Sequence, residues 1–231
     1  MNYYAISEKG KREKNEDNFI AEKINDFYVF GVADGIGGHT GGEYASKIAI
    51  GELRESIKRK GEHGLKESFE KANSTIVREN ERKNSNMGTT LVACVVKEKT
   101  GRYIVANVGD SRAYIFNETI WKTRSHNLVQ ELVIKGVINK EEAFNHPQKN
   151  VVTRALGLEK DVKTDVFYNL RRGTLTILLC SDGLSDYVND EEIAKIAKRY
   201  NPKKACNKLV KTALENGSKD NITIIIGDIE G

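Results

Sequence analysis

The sequence predicts an α+β fold. Three observations carry that expectation. Strand-like apolar runs recur along the chain, two amphipathic helical patterns fall side by side between them, and regular strand–helix–strand alternation is absent. Such an order packs helix pairs against antiparallel sheets. At 231 residues, with no repeat, no low-complexity stretch and only Pro147 and Pro202 as prolines, one domain over 1–231 is expected.

Tyr3–Ser7, Asn18–Glu22 and Phe27–Ala33 are the first predicted strands. Ala45, Ile48, Ala49, Leu53 and Ile57 share one helical face, and Leu65, Phe69, Ala72 and Ile76 share another. Thr89–Lys97 and Arg102–Val108 flank a turn at Glu98–Gly101. Arg112–Phe116 and Thr119–Lys122 flank one at Asn117–Glu118. Between about Thr123 and Lys160 the pattern changes to a short helix over Leu128–Ile138, followed by polar, irregular sequence around Asn145–Asn150. Val162–Tyr168, Thr174–Cys180 and Ile222–Ile229 complete the strands. Late helices are expected over Glu191–Arg199 and Pro202–Asn216, the latter with Asn201 as N-cap, Pro202 in its first turn and Gly217 beyond its end.

Bulk properties exclude several classes. The net charge is +4 and the basic residues are scattered, with no basic stripe interleaved with aromatics, which argues against nucleic-acid binding. Cys94, Cys180 and Cys206 are odd in number and lack metal or redox spacing, so packed, reduced thiols are expected. No apolar signal core opens the chain and no apolar run approaches the ~20 residues of a membrane span. A cytoplasmic location and no membrane association follow as expectations.

The chemistry lies in acidic residues at strand ends: Asp34 in VFGVADGIGGH, Asp110 in YIVANVGDSR, Asp182 in LTILLCSDGLSD and Asp220 in SKDNITIIIGDI. A single Asp in such a place is usually a turn former. Two Asp-Gly turns, Asp220-Asn221 and Gly109-Asp110-Ser111-Arg112 in one domain make coincidence a poor account. Converging carboxylates raise each other's pKa unless a cation offsets their charge, and hard divalent ions suit oxygen donors. Asn15-Glu16-Asp17 adds two more carboxylates before a strand. Arg12 lies nearby; its planar fork suits phosphate oxygens, although its composition alone reads as solvated surface.

The order R-x-x-N-E-D, A-D-G-x-G-G-H, G-T-T, N-x-G-D-S-R, H-P-x-x-N-V-x-T-R-A-L-G, S-D-G-L-x-D and D-N-I-T resembles the metal-dependent PP2C (PPM) protein phosphatases, most closely their bacterial single-domain branch. The resemblance runs from about Ser7 to the C-terminus. It implies a four-layer α-β-β-α sandwich, with two antiparallel sheets flanked by antiparallel helix pairs and a flap near 123–160. It also implies hydrolysis of phosphoserine and phosphothreonine in proteins, by a metal-bridging water or hydroxide attacking phosphorus without a phosphoenzyme. Two Mn2+ or Mg2+ ions are implied, with a weaker third. Asp34 would bridge the two ions, with the Gly35 carbonyl as a further ligand. Asp182 and Asp220 would complete the first site, Glu16 and Asp17 the second, and Asp110 and Asp186 the third. Arg12 would bind the substrate phosphate. Phosphorylated proteins, a cognate Ser/Thr kinase and a monomeric state are the implied partners and assembly.

The chain also departs from the family. Gly10 stands one residue nearer Asn15 than is usual, so a different Arg12 loop is expected. Ser125-His126-Asn127 replaces a frequent Asp-His-Ser. Ile36 occupies the place where some members have His after Asp-Gly, leaving His39 as the candidate leaving-group acid. His63 and His126 read as surface or structural residues, and His146 as flap packing. Two other readings stand beside the phosphatase: a catalytically weak phosphoprotein-binding module of the same fold, and a phosphatase for a small phosphate ester. Retention of Asp34, Asp182 and Asp220 argues against the first.

Overall fold

A computed structural model describes residues 1–37, 41–169 and 174–229. Among the described residues three antiparallel sheets form. The first orders β1 (Asn2–Glu8), β12 (Ile222–Ile229), β11 (Leu175–Cys180), β8 (Arg112–Phe116) and β9 (Ile120–Lys122). The second orders β10 (Asp165–Asn169), β7 (Tyr103–Val108), β6 (Leu91–Lys97), β3 (Phe27–Ala33) and β2 (Asn18–Ile24). A short ribbon pairs β4 (Gly35–Ile36) with β5 (Gly88–Thr89).

The two large sheets face each other. Phe30, Val32, Val92, Cys94 and Val105 of one meet Ala113, Ile115, Ile177, Leu179 and Ile225 of the other. The alternate residues point outward to helices. Val29, Ala33, Leu91, Ala93 and Val95 pack under α1 (Gly41–Lys60) and α2 (Gly64–Lys83), where Leu53, Ile57, Phe69 and Ile76 are fully buried. Leu178, Cys180, Ile222, Ile224 and Ile226 pack under α6 (Asp190–Arg199) and α7 (Pro202–Glu215). Both faces of the central strands are therefore covered, which is why they read as unbroken apolar runs rather than alternating ones. Each fully buried Leu, Ile or Phe contributes about 1.5–3 kcal/mol. The result is the four-layer sandwich the resemblance implies.

The helix starts follow their caps. Asn201 accepts from the Lys204 amide and Pro202 occupies the first turn of α7, as its sequence predicts. The flap is less regular than expected. Its helix α3 (Leu128–Ile134) stops short of Ile138, because Gly136 turns with φ +70°. A second short helix, α4 (Lys140–Phe144), follows and has a complete capping box between Asn139 and Glu142. Asn127 and Val152 bridge across the flap base.

Two further differences matter for the site. The predicted strand Thr89–Lys97 breaks at Thr90, whose amide donates to the Asp34 carbonyl and whose hydroxyl accepts from the Asp34 amide. Beyond β11, Asp182–Ser185 forms the short helix α5.

Two asparagines of α2 hold the flap's return. Asn73 donates to the carbonyls of Glu159 and Lys160 and accepts from the Gly157 amide. Asn80 donates to the Met87 and Gly157 carbonyls and accepts from the Met87 amide and the Ser85 hydroxyl. Truncating Asn80 strands several buried groups, each costing ~1–3 kcal/mol. Asn80→Ala is expected to lower stability by roughly 2–4 kcal/mol. Urea unfolding checks this, and a loss below ~0.5 kcal/mol would show that water replaces the amide.

Candidate functional site

The strand ends gather the acidic residues at one edge of the sandwich. Asp34 closes β3, Asp110 follows β7, and Asp182 opens α5 directly after β11. Asp17 precedes β2, Asp220 precedes β12, and Asp186 caps α5. Antiparallel pairing explains this convergence, since the end of one strand lies beside the start of its neighbour. A cavity of about 1010 Å³ opens there. Arg12, Glu16, Asp34, Gly35, Asp110, Asp182 and Asp220 line it, with Asn150, Val152 and Leu158 of the flap on the far side. Asp17 and Asp186 do not line it and are buried, at 6% and 9% exposure.

Close backbone packing fixes the loops. A side chain at Gly183 would meet the Asn221 carbonyl oxygen at 2.0 Å, and one at Gly35 would meet the backbone of Gly42 at 2.3 Å. Neither approach tolerates a Cβ atom. The Asn221 side chain ties the loop before β2 to the start of β12. It accepts from the Glu16 amide and donates to the carbonyls of Lys9 and Lys14. Asp34 is anchored by the G-T-T segment. The Thr89 hydroxyl and Thr90 amide donate to its carbonyl, while the Thr90 and Ser111 hydroxyls bond to each other at 2.7 Å.

The carboxylates repel one another. Burial, then the charges of Asp17, Asp182, Asp110 and Asp220, hold Asp34 well above the usual carboxylate range. Burial, then Asp110, Asp186 and Asp220, do the same to Asp182. Burial raises Asp17 to about 6, against the lowering effect of hydrogen bonds from Thr223 and Ser181. Burial and Asp186 raise Asp110 to about 7. Burial also raises Asp186, although Arg112 and Lys149 oppose it.

Positive groups, Arg12 and Lys149 among them, stand beside the carboxylates. Arg12 Nε and Nη2 donate to the two oxygens of Asp220 at 2.9 and 2.7 Å, so this arginine is paired rather than free in solvent. Its side chain is nevertheless 60% exposed. Gly10, with φ +61°, lets the Arg12 loop lie against the Asp220 carbonyl, where a Cβ atom would come within 2.1 Å. Lys149 reaches from the flap to donate to the Asp186 carbonyl at 2.8 Å and stands 3.7 Å from its carboxylate.

Among the described residues, no three His, Cys, Asp or Glu side chains enclose a point closely enough to chelate an ion as they stand. The donor set still fits a hard cation. Asp17 Oδ1 and Asp182 Oδ1 are buried carboxylate oxygens with no hydrogen-bond partner, and a divalent ion satisfies such atoms. His39 lies outside the described residues. His126 is buried and structural: its Nδ1 accepts from the Gly109 amide and its Nε2 faces Asp165 at 3.2 Å. His63 is exposed and does not line the cavity. Sequence reasoning assigned no role to Thr89, Thr90, Ser181, Asn221, Thr223 or Lys149. All but Lys149 sit inside the G-T-T, S-D-G and D-N-I-T motifs.

Comparison with known proteins gives the chain's relatives. The protein phosphatase 2C family model matches residues 2–132 and 168–222, omitting most of the flap. The serine/threonine phosphatase Stp of Listeria monocytogenes is 37% identical over 230 residues, covering 93% of this chain and 90% of that protein. The fold matches the crystal structure of the Mycobacterium tuberculosis serine/threonine phosphatase PstP/Ppp with a TM-score of 0.89 at 33% identity, covering 99% of this chain and 98% of that one. It matches the catalytic domain of PstP in complex with two manganese ions with a TM-score of 0.88 at 32% identity, covering 99% and 98% of the two chains.

The electrostatics set a pH dependence. Acids whose folded pKa is raised favour the folded state fully below their unfolded value near 4. That contribution is lost as pH rises through the folded values, about 6 for Asp17 and about 7 for Asp110. The metal-free protein should therefore melt lower at pH 8 than at pH 5.5, and Mn2+ should raise its Tm more at pH 8. Thermal melts at both pH values, with EDTA and with Mn2+, check this. A Tm gain from Mn2+ that is equal at both would refute the assignment.

Proposed function

The chain belongs to the protein phosphatase 2C family, and from that membership we propose that the acidic cavity holds divalent ions and that Arg12 receives the substrate phosphate beside them. The protein is a serine/threonine protein phosphatase and its substrates are phosphorylated proteins. One observation carries the proposed mechanism: carboxylates from well-separated loops converge on one cavity beside an exposed arginine.

In this reading Asp34, the Gly35 carbonyl, Asp182, Asp220, Glu16 and Asp17 would hold two ions, Mn2+ or Mg2+. Asp110 and Asp186 would hold a weaker third. Bound ions supply Lewis acidity and offset the negative charge of the phosphoryl group. The chain's own residues do the rest. Thr89, Thr90 and Ser111 fix the Asp34 turn, so its carboxylate keeps its aim when charge beside it changes. Arg12 exchanges its fork from Asp220 to two phosphate oxygens, and its exposure leaves room for that movement. The cavity of about 1010 Å³ has room for a phosphorylated side chain beside Arg12. His39 is the candidate to protonate the leaving oxygen.

A covalent phosphocysteine has no support. Cys94, Cys180 and Cys206 are buried, and burial pushes all three thiols well up, to about 12 for Cys180 and Cys206. The whole chain is proposed to act as one phosphatase domain. It would work as a monomer in the cytoplasm, opposing a cognate Ser/Thr kinase. Among the described residues no helix is long and apolar enough to cross a membrane.

The test is phosphate release from a phosphothreonine peptide by metal-stripped protein. Turnover should appear on addition of Mn2+ and fall at least ~100-fold in Asp182→Asn. Arg12→Ala should raise KM about tenfold, with a smaller change in kcat. A folded protein inert with every divalent ion, or an Asp182→Asn variant as active as the parent, would sink the two-ion reading.

A further inference from the structure

Several residues of the recurrent motifs take no part in the chemistry above, yet they bond to one another in a directed chain. Asp17 Oδ2 lies 2.8 Å from the Ser181 hydroxyl and 2.7 Å from the Thr223 hydroxyl. An ionised carboxylate only accepts, so both hydroxyls commit their single hydrogen to Asp17. Every other direction is then forced. Thr223 Oγ1, having given its hydrogen away, accepts from the Ser7 hydroxyl at 2.7 Å. Ser7 in turn accepts from Asn15 Nδ2 at 2.9 Å. Ser181 Oγ accepts from the Thr223 amide at 3.0 Å. The Asp17 amide donates to Asn15 Oδ1 at 3.1 Å, closing the circuit onto the residue it orients.

The circuit sits on rigid ground. Ser7 and Thr223 are directly paired residues of β1 and β12, and Ser181 follows the last residue of β11. Ser181 and Thr223 are fully buried. All the donors converge on one oxygen of Asp17. The other, Oδ1, is buried with no partner. Rotating the carboxylate would strand the buried Thr223 hydroxyl and leave Ser181 only the Asn221 carbonyl, at 3.5 Å, so the asymmetry is built in.

We propose that Thr223, assisted by Ser181, is a positioning residue that dedicates Asp17 Oδ2 to hydroxyl donors and thereby presents Oδ1 to a divalent cation. This rests on the ion-binding reading given above. It assigns a task to the Ser of S-D-G and the Thr of D-N-I-T that neither residue could perform as a ligand, since their oxygens face Asp17. Orienting partners of this kind typically change metal affinity by ~10–100-fold.

Mn2+ binding to the metal-stripped full chain, followed by titration calorimetry and by the EPR signal of free Mn2+, tests it. Thr223→Val removes the hydroxyl at nearly constant shape, and Thr223→Ser keeps it. Thr223→Val should bind Mn2+ at least ~10-fold more weakly, while Thr223→Ser should stay within ~3-fold of the parent. In turnover assays Thr223→Val should need more Mn2+ for half-activation, with the peptide KM at saturating Mn2+ unchanged because Arg12 is untouched. Should Thr223→Val fail to fold, Ser181→Ala removes the second donor and is held to the same ~10-fold criterion. Parent-like Mn2+ affinity in the hydroxyl-free variant, or equal losses in Thr223→Val and Thr223→Ser, would overturn the positioning role. A parent chain that binds no Mn2+ would instead overturn the ion-binding reading together with this one.

Discussion

The structure depends on holding like charges together in a buried place. Burial and neighbouring carboxylates, Asp220 among them, raise the pKa values of Asp17, Asp34, Asp110, Asp182 and Asp186. A chain left to itself would let such groups drift into water. The sandwich prevents this because Asp34, Asp110, Asp182 and Asp220 are attached beside the ends of strands whose two faces are covered. Moving one away would require pulling a strand from between a sheet and a helix pair. Apolar burial, at about 25 cal/mol per Å², thus works against electrostatic repulsion concentrated at one edge.

The edge itself is stiffened by a second set of devices. Gly183 and Gly35 bring loop backbones into direct contact where no other residue fits. Asn221 bonds to three separate backbone groups of the loop that carries Arg12 and Glu16. Thr90 bonds to both the amide and the carbonyl of Asp34. These neutral groups satisfy the backbone without adding charge, so they stiffen the cluster and leave its acidity intact.

Much of this was legible in the sequence, for stated physical reasons. Strands buried on both faces give continuous apolar runs, so β3, β6, β11 and β12 were readable, and the spacing of Leu65, Phe69, Ala72 and Ile76 placed α2. The Asp-Gly turns marked the site. What escaped was set by contacts between distant segments. The break at Thr90 exists because Asp34 captures its amide and hydroxyl, which no local propensity encodes. The early end of α3 is set by Gly136, but Val137 and Ile138 continue the apolar run and hide it, while α4 is marked only by the Asn139/Glu142 capping box in polar sequence. The pairing of Arg12 with Asp220 spans nearly the whole chain and left no mark on either neighbourhood.

The site divides its tasks by burial. The Asp17 carboxylate is held by two buried hydroxyls, and the Asp34 backbone is held by Thr89 and Thr90. In the proposed mechanism the group that changes partners is held by ionic hydrogen bonds nearer to solvent. Arg12 grips Asp220 with its side chain 60% exposed, and Lys149 stands 3.7 Å from the Asp186 carboxylate at the end of a long, flexible stem. Exposed ion pairs are worth only about 0–1 kcal/mol, so in the proposed mechanism exchanging Asp220 for an incoming phosphate would cost Arg12 little. A buried hydroxyl–carboxylate bond is far more expensive to break, because both partners then lack any substitute. The same edge can therefore be rigid where ions are to be held and compliant where substrate arrives, without a hinge in the sandwich beneath it.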